Sequence, residues 1–422
     1  MKTGKVSSRR GFLETLGAAA VTGVSRALFP AWMPRLAFRA DQAPGDVLVV
    51  IFQRGGMDGL NAVVPFGEGA AYYDKRPTIA IPEPGINRGA LDLNGFFGFH
   101  PALRPLHEVY QTGKVAVIHA VGSPDPTRSH FDAMEFMERG TPGSKNAPNG
   151  WLNRHLQTSA WQNSSPFRAV GMGTMLPSSL HGMIPALALN SITEFHLRGD
   201  ERQAQIAAQA LANLYTIDAP SDLISVSARD TFTTIELLSK LNASEYQPAN
   251  GAAYPDGEFG MGLRQVAQLI KAGVGLEVAC VDIGGWDTHE DQGGVDGQFG
   301  GLLENFGQGL AAFYADLGDA MTNVTLVTMS EFGRRADENA SRGTDHGHGN
   351  CMLVMGGGVN GGVHVEWPSL KPEALDEGDL AITIDYRDIL ADILSNRVLN
   401  PALDQIFPNF SPTLRGITQA RS

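Results

Sequence analysis

Runs of aliphatic and β-branched residues recur along this chain, separated by polar, glycine-bearing loops. Residues 46–52 read DVLVVIF. A near-continuous apolar run of that length predicts a strand covered on both faces, the usual situation of a parallel strand. Similar runs at 115–121, 274–283, 324–329 and 351–355 predict further buried strands, and 167–170 a short one. Elsewhere the apolar spacing shifts toward 3.6. Leu302, Leu303, Phe306, Leu310, Phe313 and Leu317 line one face of a helix predicted over 299–321. Residues 101–112 also read as a helix, with proline near the start and Gly113 just past the end. Further helices are expected over 151–160, 260–272 and 386–394, and one beginning at Ser129, which is suited to cap it. Strand, polar loop, helix, strand is the pattern of a parallel sheet. The expected fold class is therefore α/β: a central, largely parallel sheet sandwiched by helices, in one unit over 41–422. Residues 60–99 are rich in proline and glycine, with only short apolar pieces. Residues 191–256 differ again, with helical patterns at 202–214 and 228–242, and read as a mostly helical insertion.

The N-terminus changes the picture of where such a protein works. Arg9 and Arg10 precede a modest apolar stretch at 16–28 that Gly17, Gly23 and Arg26 interrupt. It is too short and too broken to span a bilayer. Paired arginines ahead of a weak apolar region fit a twin-arginine export signal. Residues 1–40 are accordingly read as signal and linker, with cleavage expected between Pro30 and Ala43. The twin-arginine export machinery is then a partner, and the mature chain is expected to be periplasmic or secreted, with no transmembrane span.

The 422 residues are 43% hydrophobic, ample for a large core. Formal net charge is -13, which offers no basic field for a nucleic-acid backbone. Cys280 and Cys351 each lie in an apolar run and read as buried thiols, although export leaves a disulfide open.

Candidate chemistry gathers in the loops that follow the predicted strands. Residues 344–350 read TDHGHGN, placing Asp345, His346 and His348 within four positions. Glycines at that spacing suit a loop that turns side chains inward around a cation. Imidazole and carboxylate donors fit Zn²⁺, Mn²⁺ or Fe better than Ca²⁺ or Mg²⁺. Asp58 follows the first strand between glycines, Asp287 and His289 follow the strand ending near 283, and Glu331 follows the strand at 324–329. In an open α/β sheet such loops converge at the carboxyl edge. One or two divalent ions held there would clamp the oxygens of an ester undergoing displacement. Each residue also has a plainer reading: Asp58 as a turn residue, Glu331 as the partner of Arg334 or Arg335, and the two arginines either as a surface ion pair or as a phosphate or sulfate contact. Ser129, at a helix start, is the candidate nucleophile, with helix capping as the plainer reading and metal-activated water as the alternative. His130 is then a general acid or base, or a ligand.

Several long stretches resemble domain-of-unknown-function family 1501. They are VVIFQRGGMDGLNAVVPF at 49–66, HAVGSPDPTRSHFDAMEFME at 119–138, GGWDTHEDQGG at 284–294, VTMSEFGRRADEN at 327–339, TDHGHGN at 344–350 and DYRDILADIL at 385–394. That family resembles a branch of the alkaline phosphatase-like superfamily, which includes phosphatases, sulfatases and metal-dependent phosphomutases. The resemblance implies a mixed sheet between helices and a metal site at the strand ends. It makes Asp58 the early aspartate ligand and Asp345 with His346 the late pair. Two departures follow. The usual D-x-x-x-H ligand pair is absent, Asp287-Thr288-His289 being nearest. The formylglycine motif C-x-P-S-R would fall on residues 124–128, where Pro124 replaces the cysteine, so a formylglycine sulfatase is disfavoured.

The sequence thus supports a metal-dependent hydrolase of phosphate or sulfate esters, acting on a small-molecule or glycan substrate. The alternative is a non-catalytic binding or assembly protein on a metallohydrolase-like scaffold. A phosphate-transferring mutase is a third reading, which export from the cytoplasm argues against.

Overall fold

The computed structural model describes residues 45–161, 163, 165–192 and 246–421. The signal and linker over 1–40, the cleavage region and the two helical patterns at 202–214 and 228–242 lie outside the described residues. The parts of 191–256 that are described, 191–192 and 246–256, carry no helix.

The strands in chain order are β1 (Val47–Gln53), β2 (Val63–Val64), β3 (Leu91–Asp92), β4 (Gly98–Phe99), β5 (Val115–Gly122), β6 (Ala169–Met172), β7 (Leu187–Leu189), β8 (Val278–Ile283), β9 (Val324–Met329), β10 (Asn350–Gly356), β11 (Gly362–His364) and β12 (Ile384–Asp385). Nine form one sheet in the order β11-β5-β10-β9-β1-β8-β6-β7, with β12 also paired to β5. Only β10 runs against its neighbours; the other pairings in this sheet are parallel. The largely parallel sheet expected from the apolar runs is present. A small antiparallel sheet, β2-β4-β3, occupies the proline-rich region and was not anticipated. Its strands are two residues long, too short for a period to register.

The helices are α1 (Arg104–Gln111), α2 (His130–Arg139), α3 (Trp151–Thr158), α4 (Glu258–Ala272), α5 (Gln298–Leu317) and α6 (Tyr386–Asn396), besides shorter turns. Both faces of the sheet are covered, which is why its strands lack polar alternation. Leu48, Val50, Phe52 and Cys280 pack in one buried cluster with Trp151, Leu152, Ile389, Leu390 and Ile393 of α3 and α6. On the opposite face, Gly262 of α4 lies against Val281 and Met172, and Gly309 of α5 lies against Phe259 and Leu263 of α4. Some boundaries differ from expectation. The strand expected from 274 begins at Val278, and the helix expected to reach 321 ends at Leu317 before a 3₁₀ segment at Gly318–Asn323. Residues 101–103 are likewise 3₁₀ rather than α.

Strand direction fixes where the loops meet. β5, β9, β1 and β8 all point the same way, because β10 opposes both β5 and β9. Their exit loops, and the loop that enters β10, therefore share one edge of the sheet. Cys280 and Cys351 are both free thiols. β8 and β10 are separated by β1 and β9, three strand spacings or about 14 Å, which is beyond disulfide reach.

At the opposite edge, the fully buried Asp46 carboxylate ties the start of β1 to the C-terminal segment. It accepts from Arg397 at 2.9 and 3.0 Å, from Arg421 at 2.6 Å and from Thr325 at 2.8 Å. Arg397→Met should lower stability by roughly 3 kcal/mol, because it strips one guanidinium from a buried charge. A denaturant titration would show this as a lower midpoint at unchanged slope; an unmoved midpoint would mean that Arg421 alone holds the carboxylate.

Candidate metal centre

Three imidazoles and one carboxylate close on each other at the carboxyl edge. The ligand atoms of His130, Asp287 and His346 lie within 4.8 Å of one another. His130 opens α2 after the β5 loop, Asp287 follows β8, and His346 precedes β10. His289 joins them: its Nε2 is 2.9 Å from His346 Nε2 and 3.0 Å from Asp287 Oδ1. The Nε2 atoms of His130 and His346 stand 3.3 and 3.2 Å from that same carboxylate oxygen. Four expected site residues from three loops are thus brought together.

What holds each ring in place is as informative as the rings. His130 Nδ1 is 2.7 Å from Glu331 Oε1, His346 Nδ1 is 2.8 Å from the Arg128 carbonyl, and His289 Nδ1 is 3.4 Å from Asp345 Oδ1. The Nδ1 atoms of His130 and His346 are hydrogen-bonded to oxygen acceptors, so these two rings, when neutral, carry their proton there and turn an Nε2 lone pair inward, while His289 Nδ1 is only at ion-pair distance from its carboxylate. His130 Nε2 is buried with no hydrogen-bond partner. Lone pairs aimed at each other and at a carboxylate oxygen repel unless a cation lies among them. Histidines that spend Nδ1 on an oxygen and present Nε2 are the usual arrangement around a bound metal. The residues present therefore fit a cation such as Zn²⁺, with His130, His289, His346 and Asp287 as donors.

The Glu331 hydrogen bond raises the His130 pKa, whereas burial lowers that of His346. Burial pushes the Asp287 carboxyl up, but the Arg334 hydrogen bond and charge outweigh it and bring the value down to about 2. Asp287 is thus an anion at any ordinary pH. The Asn339 amide, 2.9 Å away, leads the lowering of the Asp345 pKa. Phe332 packs its ring 4.8 Å from both His130 and His346, forming an apolar wall.

The remaining expected site residues stand elsewhere. Glu331 is fully buried, accepts from the Gly55 amide at 2.8 Å and orients His130; it pairs with neither Arg334 nor Arg335. Asp345 orients His289 and does not itself reach the inward-facing nitrogens. His348 places its nitrogens 3.2 Å from Asp376 and 3.3 Å from the Asp125 carbonyl. Asp58 is fully buried in a different pairing, with Arg76 at 2.5 Å and Gln292 at 2.7 Å. Its Oδ1 is buried without a partner, an acceptor left for an ordered water. Ser129 holds the N-cap position of α2 but makes no cap bond, and among the described residues no hydrogen bond ties its hydroxyl to a histidine.

Residues whose structural roles the sequence reading did not give complete the centre. The fully buried Arg334 donates to the carbonyls of Gly56, Thr344 and Trp286 at 2.6, 2.8 and 3.0 Å, to that of Gly55 at 2.5 Å, and to Asp287 at 2.7 Å. It stitches the loops after β1 and β8 to the loop before β10. Gln292 accepts from Thr288 at 2.9 Å and from Thr344 at 2.7 Å while donating to Asp58, so it links the same loops from below. Gly55, at φ +121°, passes so close to Asp287 that an added Cβ would stand 2.7 Å from its amide nitrogen.

The family model described as "Protein of unknown function (DUF1501)" matches residues 46–403. The chain belongs to this family. No curated protein matches it. Among solved structures, the C-terminal periplasmic domain of EptC from Escherichia coli in complex with Zn is similar at 11% identity, covering 88% of this chain and 89% of that one, with a TM-score of 0.39. The PsFucS1 sulfatase from Pseudoalteromonas sp. gives 11% identity, 90% and 74% coverage and a TM-score of 0.40. The lipoteichoic acid synthase LtaP from Listeria monocytogenes gives 8%, 85% and 76%, and 0.34. At these scores the likenesses carry no argument about this chain.

Two substitutions separate ligands from supports. Glu331→Gln should weaken metal binding about 10- to 100-fold, because it loosens the hold on His130 Nδ1. A chelator competition would read this; unchanged affinity would make Glu331 a mere packing residue. Arg76→Met should cost roughly 3–5 kcal/mol by stranding the Asp58 charge, while metal content stays at the native level. Loss of metal in a still-folded Arg76→Met protein would place Asp58 among the ligands after all.

Proposed function

We propose that this member of the family is an exported, metal-dependent hydrolase of phosphate or sulfate esters. One observation carries the reading: three Nε2 atoms converge on Asp287 Oδ1, with the rings of His130 and His346 held by an oxygen at Nδ1. A nitrogen-rich set with one carboxylate favours Zn²⁺, Mn²⁺ or Fe over Ca²⁺ or Mg²⁺. When bound, such an ion supplies Lewis-acid polarisation of an ester oxygen and lowers the pKa of water. His130, Asp287, His289 and His346 would hold it. Arg334 keeps Asp287 ionised and fixed, so that its carboxylate is ready as a donor without reorganisation. Glu331 and the Arg128 carbonyl hold the two rings packed on Phe332 in register. The proline at position 124 disfavours formylglycine chemistry, and a Ser129 hydroxyl with no histidine bonded to it disfavours a serine nucleophile. Attack by water therefore fits the centre better. Export rests on Arg9 and Arg10 with the broken apolar stretch behind them.

The lack of a base on the Ser129 hydroxyl favours a second reading, a binding or assembly protein that keeps a structural ion. A closed shell of four protein donors would serve that role, whereas catalysis needs an open position.

Elemental mass spectrometry of the folded, signal-cleaved protein should find about one equivalent of Zn, Mn or Fe, lost in an Asp287→Ala/His346→Ala variant. Aryl phosphates and aryl sulfates should then be turned over by the loaded protein. No metal, either retained or taken up on addition, would end the hydrolase reading. Metal without turnover of any ester would leave the structural one.

A further inference from the structure

Beside the histidine cluster, two arginines share one buried carboxylate and leave much of their donor capacity unspent. Asp379 is fully buried. Its Oδ2 takes Arg128 Nη2, and its Oδ1 stands 3.2 Å from Arg335 Nη1. The second contact is an ion pair without hydrogen-bond geometry, since Asp379 Oδ1 has no hydrogen-bond partner. Arg335 Nη1 also donates to the Glu377 carbonyl at 2.8 Å. Beyond these contacts, Arg128 Nε is buried with no partner, and among the described residues neither Arg128 Nη1 nor Arg335 Nε and Nη2 finds an acceptor. The two side chains are 37% and 39% exposed, in contrast to the fully buried Arg334. Two guanidinium groups against one carboxylate leave an excess of one positive charge at a partly open position. Planar N–H forks of this kind match the oxygens of phosphate, sulfate or carboxylate.

The backbone of both arginines is tied to the segments that carry the centre. The Arg128 carbonyl holds His346 Nδ1 at 2.8 Å, and the Arg335 amide donates to the Asp345 carbonyl at 3.0 Å. Both arginines thus belong to the segments that carry the centre, one from the β5 exit and one from the hairpin in which Arg334 bridges His346. The notion that Arg334 and Arg335 together receive an anion does not survive, since Arg334 is fully buried among five protein acceptors. The available pair is Arg128 with Arg335.

We propose that Arg128 and Arg335, held on Asp379, form an anion subsite that binds an oxyanion group of the substrate next to the metal centre. Resting on the hydrolase reading, this narrows the substrate class: an ester that carries a second anionic group, such as another phosphate, sulfate or carboxylate, besides the one cleaved. A neutral leaving group would leave the charge excess unanswered.

Inorganic sulfate is the probe. Isothermal titration of the purified full chain with sulfate should show binding that weakens about tenfold or more in Arg128→Gln and in Arg335→Gln, each losing a charge-assisted contact. Arg128→Gln takes a guanidinium from the buried Asp379 and should lower the melting temperature, Arg335→Gln removes no hydrogen bond to Asp379 and should leave it near the wild type, and metal content should match the wild type in both. Arg335→Lys should recover part of the affinity. Sulfate affinity unchanged in both glutamine variants would overturn the proposal. A loss of affinity that tracks loss of metal in both variants would overturn it as well, because the anion would then be bound by the ion. Protein that holds no metal but still binds sulfate through these arginines would refute the hydrolase reading and leave the subsite standing.

Discussion

The buried guanidinium of Arg334 is the interaction on which the centre depends. The carboxyl edge is assembled from loops that leave different strands, and such loops have no sheet ladder to fix their relative positions. Arg334 supplies that fixture by donating to carbonyls on three of them and to Asp287 itself. A buried charge set among five acceptors is costly to form and more costly to break, so it tolerates few alternative arrangements. Lysine could not replace it, because a single ammonium cannot span acceptors that lie on separate loops. Gly55 and Gly347 allow the approach: a Cβ at Gly347 would stand 2.3 Å from the Arg334 carbonyl carbon.

Around that fixture the histidines are oriented from outside inward. Glu331 and the Arg128 carbonyl take the Nδ1 protons of His130 and His346, Asp345 stands opposite His289 Nδ1, and each comes from a different part of the chain than the ring it faces. The division of labour explains why so many acidic residues line the edge while only Asp287 points at the cluster. A carboxylate at Nδ1 strengthens the ring as a donor and fixes its tautomer, so it shapes metal affinity without touching the metal.

Much of this was legible in the sequence. The doubly buried strands announced themselves as unbroken apolar runs, and those runs placed the polar loops at the edge where His130, Asp287, His289 and His346 meet. The roles within the set were less legible. Spacing placed Asp345 and His346 side by side, but could not say that one turns inward while the other steadies a different histidine. Asp58 had every local mark of a ligand: a strand end, flanking glycines and a family resemblance. Its partner Arg76 lies 18 residues on, in a segment with no regular period, and nothing local reports that pairing. Gln292 and Arg334 act through contacts with backbone carbonyls and hydroxyls of distant loops, a kind of contact that leaves no pattern in composition or spacing. The small β2-β4-β3 sheet was missed for the simpler reason that two-residue strands carry no alternation.

The charge balance bears on how many ions this edge can hold. A binuclear centre needs anionic side chains in excess, because two divalent ions must be offset by carboxylates around them. Here Asp58, fully buried, is matched by an equally buried Arg76, and Asp287 is already matched by Arg334. Glu331 is committed to His130 and to the Gly55 amide. What remains for a cation is a nitrogen-rich set with one carboxylate whose own charge is shared with a guanidinium. Such a set suits one borderline-soft ion and gives little support to a second divalent charge a few ångströms away. The arginines that neutralise the carboxylates thus do more than stabilise the loops: they occupy the electrostatic position that a second metal would need.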